Sequence, residues 1–419
     1  MKKLVFVVCL MMMLTACSGV PGGKNITGLL SSPKRSVTES EIAQVIGSYL
    51  GENITLRYSR AQGFASPIQF IDINGDGKEE ALVFYYAPNK GTNIRFALLS
   101  YTDGRWNMQF DKEGLGSDVF YFTTVQLPYV SGRQIVVGYL QNSIDENFFA
   151  TYFTDTAAGT ADYTEPCTDI AMGDVTDDGY GEIILTNRLS NGRLKIKILT
   201  FTKEGTFEQI AAKTIREDNA QLLQLGISRT SDGTTAVYMD YTDNKNNIFT
   251  EAGTVANNTL TNCLAENVIT RSWKYDKKLL SRDIDGDGTM EIPVVIEDAV
   301  QAEENPRVLC IQWNDFSSQP DASKGRGIYD TEECLFMAIP DHWNDTVYIR
   351  SNALGWEIVS SEDDSKLVTV TKIDTNAQVE NSDYSYKMRF GTNTWHVKFD
   401  SKTDVADVGY ITANTQVFD

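Results

Sequence analysis

Short β-rich apolar runs, broken by Gly- and Asp-containing turns, dominate the chain. Residues 95–110 (RFALLSYTDGRWNMQF) and 194–210 (LKIKILTFTKEGTFEQI) each read as a strand, a turn and a second strand, with Asp103-Gly104 and Glu204-Gly205 at the turns. One early segment follows the helical period instead: after Thr38, Ile42, Val45, Ile46, Tyr49 and Leu50 fall at i, i+3, i+4, i+7 and i+8. Thr38 with Glu41 reads as a capping box, so 38–60 is expected to hold a short amphipathic helix and a lead-in strand.

Within the strand-rich region a single pattern recurs. Residues 70–85 (FIDINGDGKEEALVFY), 172–186 (MGDVTDDGYGEIILT) and 281–296 (SRDIDGDGTMEIPVVI) share D-x-[NTD]-x-D-G-x-x-E ahead of an apolar run. The ligand-type positions are Asp72, Asn74, Asp76 and Glu80, then Asp174, Thr176, Asp178 and Glu182, then Asp283, Asp285, Asp287 and Glu291. Two weaker copies fall midway, around Gly132 and around Asp232-Gly233. The glycines 77, 132, 179, 233 and 288 are thus 55, 47, 54 and 55 residues apart, a spacing that suits one four-stranded propeller blade per repeat.

This chemistry fits calcium. Ca2+ takes six to eight hard oxygens, and side chains at offsets 0, 2 and 4 converge if the backbone turns sharply, which Gly at offset 5 permits. A carbonyl near offset 6 and the Glu at offset 8 would complete the shell. An EF-hand needs Glu at offset 11; here that place holds Val83, Leu185 and Val294, and strands follow rather than a helix. Mg2+ is disfavoured by its strict octahedral demand. The sites read as structural clips rather than catalytic centres.

The pattern resembles the FG-GAP/VCBS repeats of integrin α-chains and of secreted bacterial proteins, over roughly residues 60–325. The resemblance implies a mainly β fold, a β-propeller with Ca2+ held in turns within its blades, and no single activity. Five repeats are recognisable over 61–325, and five to seven blades are expected in all, depending on whether the C-terminal strands add to the ring. Residues 326–419 lack the acidic motif and are expected to form a small C-terminal α+β domain, or degenerate blades that close the ring. Strand-like segments there begin at Cys334, Trp356, Lys366, Tyr386 and Trp395, with a turn or short helix at Pro340.

The first 17 residues read MKKLVFVVCLMMMLTAC. Lys2 and Lys3 precede an apolar run, Leu4 to Leu14, that falls short of the about 20 residues a transmembrane helix needs. Leu14-Thr15-Ala16-Cys17 resembles the lipobox of bacterial lipoproteins, which implies cleavage before Cys17 and a diacylglyceryl anchor on its thiol. The stretch 18–37 is rich in Gly, Ser and Pro and reads as a flexible tether. Together these features place the chain outside the cytoplasm, held to the outer face of a bacterial cell membrane, or to the periplasmic or outer-membrane face in a two-membrane cell.

A formal net charge of −20 argues against nucleic acid as partner. Cys167, Cys263, Cys310 and Cys334 could form disulfides after export or remain buried thiols. Catalytic signatures are missing: no GxSxG, HExxH, Walker A loop or post-strand GxGxxG occurs. His342 and His396 read as packing residues, and the acidic pairs Glu79-Glu80 and Asp363-Asp364 as chance neighbours in an acidic chain. The expected role is a non-catalytic recognition module for an extracellular glycan, peptide or protein. A carbohydrate-active lyase or hydrolase and a purely structural envelope lipoprotein are the alternatives.

Overall fold

The computed structural model describes residues 37–58, 66–141, 147–152, 163–245, 247–264, 279–296, 307–315, 323–352, 354–378, 384–390 and 393–418. Segment 1–17 with Cys17, and the tether up to residue 36, lie outside the described residues. The protein is mainly β, built of antiparallel sheets with a helix near each end of the described chain.

Helix α1 (Val37–Leu50) begins one residue before Thr38, so Thr38 lies in its first turn rather than at its cap. It ends where Gly51 turns left-handed (φ 72°) and Glu52 N–H returns to the Gly47 carbonyl at 3.1 Å. That six-to-one bond is the Schellman stop. Of the face predicted from the sequence, Ile42 and Ile46 are buried and Val45 and Leu50 half-buried, while Tyr49 stands exposed. Ile42 and Ile46 are fully covered against the first sheet, each burial contributing about 1.5–3 kcal/mol.

The first sheet comprises β1 (Thr55–Leu56), β2 (Ile68–Ile71), β3 (Glu80–Tyr86), β4 (Arg95–Thr102) and β5 (Arg105–Glu113), with β1 and β2 sharing one edge of β3. The second is β6 (Asp118–Val125), β7 (Gln134–Leu140), β8 (Asn147–Tyr152) and β9 (Tyr163–Cys167), in sequence order. Two more four-stranded meanders follow. They are β10 (Asp169–Gly173), β11 (Glu182–Arg188), β12 (Leu194–Phe201), β13 (Phe207–Thr214), and β14 (Gln221–Arg229), β15 (Thr235–Thr242), β16 (Ile248–Ala256), β17 (Thr259–Asn262). A single parallel pair, Ala212 opposite Thr259, joins them into one eight-stranded sheet. Because β10 also lies beside β14, that sheet is nearly closed on itself like a barrel.

The fifth sheet starts with an isolated bridge, Arg282 to Glu291, and continues through β18 (Glu291–Val295), β19 (Val308–Asp315), β20 (Ser323–Asp330) and β21 (Leu335–Ile339). Residue 326 therefore lies inside β20, and the change of sheet comes after Ile339. A 3-10 turn at Asp341–Trp343, entered from Pro340, leads to the C-terminal sheet of β22 (Val347–Asn352), β23 (Gly355–Ser360), β24 (Lys366–Ile373), β25 (Ser385–Phe390) and β26 (Asn393–Phe399). Helix α2 (Val405–Ala413), capped by Asp404, carries the chain back, and β27 (Thr415–Val417) pairs with β21.

Five successive units thus share a plan in which a turn joins the first two strands, and the five glycines 77, 132, 179, 233 and 288 sit in those turns. All have positive φ, between 70° and 89°, where a Cβ would be strained. Apolar faces of consecutive units pack together. Leu82 and Phe96 of the first meet Val137 and Tyr152 of the second, and Phe149 of the second meets Ile183 and Leu185 of the third. The row ends where Cys310 and Ile328 of the fifth unit meet Trp356, Val370 and Trp395 of the C-terminal sheet.

The turns also bond to one another along one edge. Arg133 N–H donates to the Ile73 carbonyl (2.8 Å) and Gly181 N–H to the Gln126 carbonyl (3.1 Å). Thr235 Oγ1 donates to Asp177 Oδ1 (2.8 Å) and Met290 N–H to Ser228 Oγ (2.8 Å). The junctions are tight: a Cβ on Gly181 would lie 2.3 Å from Val125 Cγ2.

Cys167, Cys263, Cys310 and Cys334 are free thiols. Cys167 and Cys310 are buried in different cores, so of the two readings of these residues the reduced one is observed. No helix among the described residues is long and apolar enough to cross a membrane.

Candidate metal centres

The three acidic turns share three hydrogen bonds. Offset 0 accepts the N–H of the offset-5 glycine: Asp72 from Gly77 (2.9 Å), Asp174 from Gly179 (2.8 Å) and Asp283 from Gly288 (2.9 Å). Offset 4 accepts the N–H two residues on: Asp76 from Lys78 (2.8 Å), Asp178 from Tyr180 (2.9 Å) and Asp287 from Thr289 (2.8 Å). The glutamate at offset 8 accepts the N–H at offset 1. Glu80 takes Ile73 (3.0 Å), Glu182 takes Val175 (2.9 Å) and Glu291 takes Ile284 (2.9 Å). The sequence pattern did not reveal a second left-handed residue in each turn, at offset 3: Gly75 (φ 78°), Asp177 (φ 57°) and Gly286 (φ 80°).

Each glutamate begins the second strand of its unit and lies beneath its turn, 5%, 1% and 0% exposed for Glu80, Glu182 and Glu291. Burial, reinforced by the neighbouring aspartates, raises all three carboxyls, Glu182 and Glu291 to about 7; the N–H each accepts opposes the rise. Desolvated carboxylates held against further carboxylates are an arrangement that a hard cation would relieve. Around it each turn offers oxygen donors only: Asp72, Asn74 and Asp76; Asp174, Thr176 and Asp178; Asp283, Asp285 and Asp287. This donor set fits Ca2+.

The second position distinguishes the turns. Asn74 Nδ2 and Thr176 Oγ1 both donate to the glutamate below (3.4 Å each), whereas in the third turn carboxylate oxygens of Asp283, Asp285 and Asp287 come within 4.8 Å of one another. There the protein brings its own cation. Lys324 Nζ, from β20, lies 2.7 Å from Asp287, 3.6 Å from Asp285 and 3.7 Å from Asp315. Its ammonium holds the Asp287 carboxyl well below the usual range, while the acids raise the lysine. Lys324 lies 37 residues beyond Asp287, outside any local motif.

The even units answer the same position differently. Gln134, fully buried at the start of β7, donates to the Ser131 and Gly132 carbonyls (2.9 and 3.2 Å). In the fourth unit Thr235, at the start of β15, donates to Asp177 (2.8 Å), and Thr230 in the turn donates to Asp232. Neither turn gathers carboxylates.

Beside the first turn opens a cleft of about 860 Å3, walled by Thr38 and Glu41 of α1, by Asn74, Asp76 and Lys78 of the turn, and by Phe70, Tyr101 and Trp106. Glu79 faces this side, exposed, while Glu80 is buried below, so the adjacent pair is split between solvent and core. His342 sits in the exposed 3-10 turn, 3.2 Å from Asp407 of α2, beside the buried Trp343. His396 lies on β26 beside Trp395, its basicity lowered by burial and by Lys398 and Lys387.

Neither a family model nor a curated protein matches this chain. Among solved structures, a hypothetical protein from Leishmania major aligns over 68% of this chain and 92% of its own, at 10% identity and a TM-score of 0.19, a likeness too low to carry an argument.

Proposed function

We propose that the chain is an exported lipoprotein, anchored through Cys17, whose five units are blades of a Ca2+-stabilised propeller of the FG-GAP/VCBS type. It serves as a non-catalytic recognition module for an extracellular partner. The propeller reading is supported by β6, β10 and β14, the first strands of consecutive units, which run side by side as the strands nearest a propeller axis do. The observation that carries the calcium reading is the threefold repetition of one turn, with a buried glutamate under each set of oxygens. Asp72, Asn74, Asp76 and Glu80, Asp174, Thr176, Asp178 and Glu182, and Asp283, Asp285, Asp287 and Glu291 would hold the ions. A bound ion would neutralise carboxylates that burial otherwise penalises.

Melting with Ca2+ and with EDTA tests this. A site at 100 times its Kd adds about 2.7 kcal/mol, so chelation is expected to lower Tm by several degrees and Ca2+ to restore it. An unchanged melt sinks the calcium reading. For the anchor, Cys17→Ser should release the protein from membranes or leave it as uncleaved precursor; unaltered fractionation would refute it.

A further inference from the structure

We propose that the cleft beside the first acidic turn binds a short stretch of a neutral saccharide on the rings of Phe70, Tyr101 and Trp106. The proposal rests on the reading of the chain as an exported recognition module, and it names the ligand class and the surface.

Exposed large apolar side chains are few among the described residues, and two of them meet here: Phe70 is 44% and Tyr101 51% exposed. Trp106 sits between them, its ring centroid 5.9 Å from that of Phe70 and 5.1 Å from that of Tyr101. Strand register explains the meeting. Phe70 pairs with Ala81, Ala81 with Leu99, and two residues on, along the same face of β4, Tyr101 pairs with Trp106. On that same face α1 covers Ala81 and Leu99 with Ile42 and Ile46, and its first turn ends the cover at Thr38 and Glu41. The three rings are left open just where the helix stops.

Ring faces bordered by hydroxyls and amides recognise molecules that are apolar on one face and hydroxylated at the rim, which describes a pyranose. Thr38 of α1 and Asn74 of the turn supply that border. Charge narrows the choice. Glu41 and Glu79 in the wall, on a chain of net charge −20, repel acidic glycans and nucleic acids. A Lys-containing proline-rich peptide is the rival occupant, drawn by those two glutamates and opposed by Lys78 in the same wall. The ring planes, inclined by 40° and 61°, form a bent seat rather than an extended trough.

The test is calorimetric titration of the chain from residue 18 onward, which lacks the lipid-bearing Cys17, in Ca2+ buffer. The ligands are neutral hexasaccharides of glucose, mannose and N-acetylglucosamine, heparin oligosaccharide and a Lys-containing proline-rich decapeptide. A neutral hexasaccharide is expected to bind, with affinity reduced about tenfold in Tyr101→Ala and in Trp106→Ala. Tyr129→Ala, an exposed tyrosine (65%) outside the cleft, should change nothing. Because Trp106 also packs against the α1 core, Phe70→Ser and Tyr101→Ala, on exposed side chains, guard against a folding artefact. Absence of neutral saccharide binding, indifference to Tyr101→Ala and Phe70→Ser, or binding of heparin or peptide instead would each overturn the proposal. Melting the same samples with EDTA separates the readings: a calcium-responsive Tm without saccharide binding rejects this site alone, and the reverse rejects the calcium reading alone.

Discussion

In the first, third and fifth units the second strand opens with a glutamate, Glu80, Glu182 or Glu291, buried under a charged turn. In the second and fourth it opens with Gln134 or Thr235, under a turn with no acidic set: the second carries no carboxylate and the fourth only Asp232. The backbone changes in step. Register shifts fall between the third and fourth strands of the odd units, at Leu98/Leu99, Ile198/Leu199 and Trp313/Asn314. In the even units they fall between the first and second, at Val119/Tyr121 and Leu222/Gln224. The repeat is therefore two units long. One member buries a carboxylate, whose desolvation calls for a cation; the other buries a neutral group, Gln134 bonded within its own turn or Thr235 bonded to Asp177 of the unit before.

Exchanging the two chemistries is the sharpest way to break this contrast. Gln134→Glu puts a carboxylate against the Ser131 and Gly132 carbonyls it can no longer donate to, and should cost about 3 kcal/mol. Urea melts should show that loss, and added Ca2+ should not repair it, because the turn has no acidic set. Gly181→Ala attacks the junction between an odd and an even unit. With a Cβ 2.3 Å from Val125 Cγ2, about 2 kcal/mol of stability should go, with Ca2+ response retained. A wild-type melting curve for this variant would mean the junction yields.

The reverse exchange should have the opposite sign. Glu182→Gln keeps an acceptor for Val175 N–H and removes a carboxyl that burial has raised to about 7, so the Ca2+-free protein should gain about 1 kcal/mol at neutral pH while losing one Ca2+ in titration. If both melts fell together, the glutamate would be a packing residue. Smallest in stability is Lys324→Met, which removes a solvent-screened ion pair at an exposed edge. Its effect belongs in affinity: the third turn should bind Ca2+ more tightly once the competing ammonium is gone, and an unchanged titration would show that Lys324 does not compete.

Much of the odd-unit turn was legible because its components are close in sequence. Glycine positions, oxygen donors and the following strand fall within one short window, and the Asp103-Gly104 turn has the paired positive φ values (53° and 75°) of the hairpin its sequence suggests. What escaped depends on distant partners. Lys324 reaches the third turn from another strand, and Phe70, Tyr101 and Trp106 meet only through cross-strand register. The division at residue 326 followed the loss of the acidic motif. The fifth sheet continues through β21 and takes in β27 from far along the chain, a pairing that no local pattern encodes. The even turns were found only as glycines in register, because Gln134 and Thr235 carry no distinctive spacing.

The bonds that run from turn to turn give the row a mechanical character. Ile73 is gripped twice, its N–H by Glu80 of its own unit and its carbonyl by Arg133 of the next. A peptide clamped on both sides transmits stiffness to its immediate neighbour, and each further link must be made afresh at Gln126, Asp177 and Ser228. Such a row behaves like a string of dominoes glued in pairs. Loosening one turn should speed amide exchange in that unit and the adjoining one and leave remoter units protected, so that damage is contained where it begins.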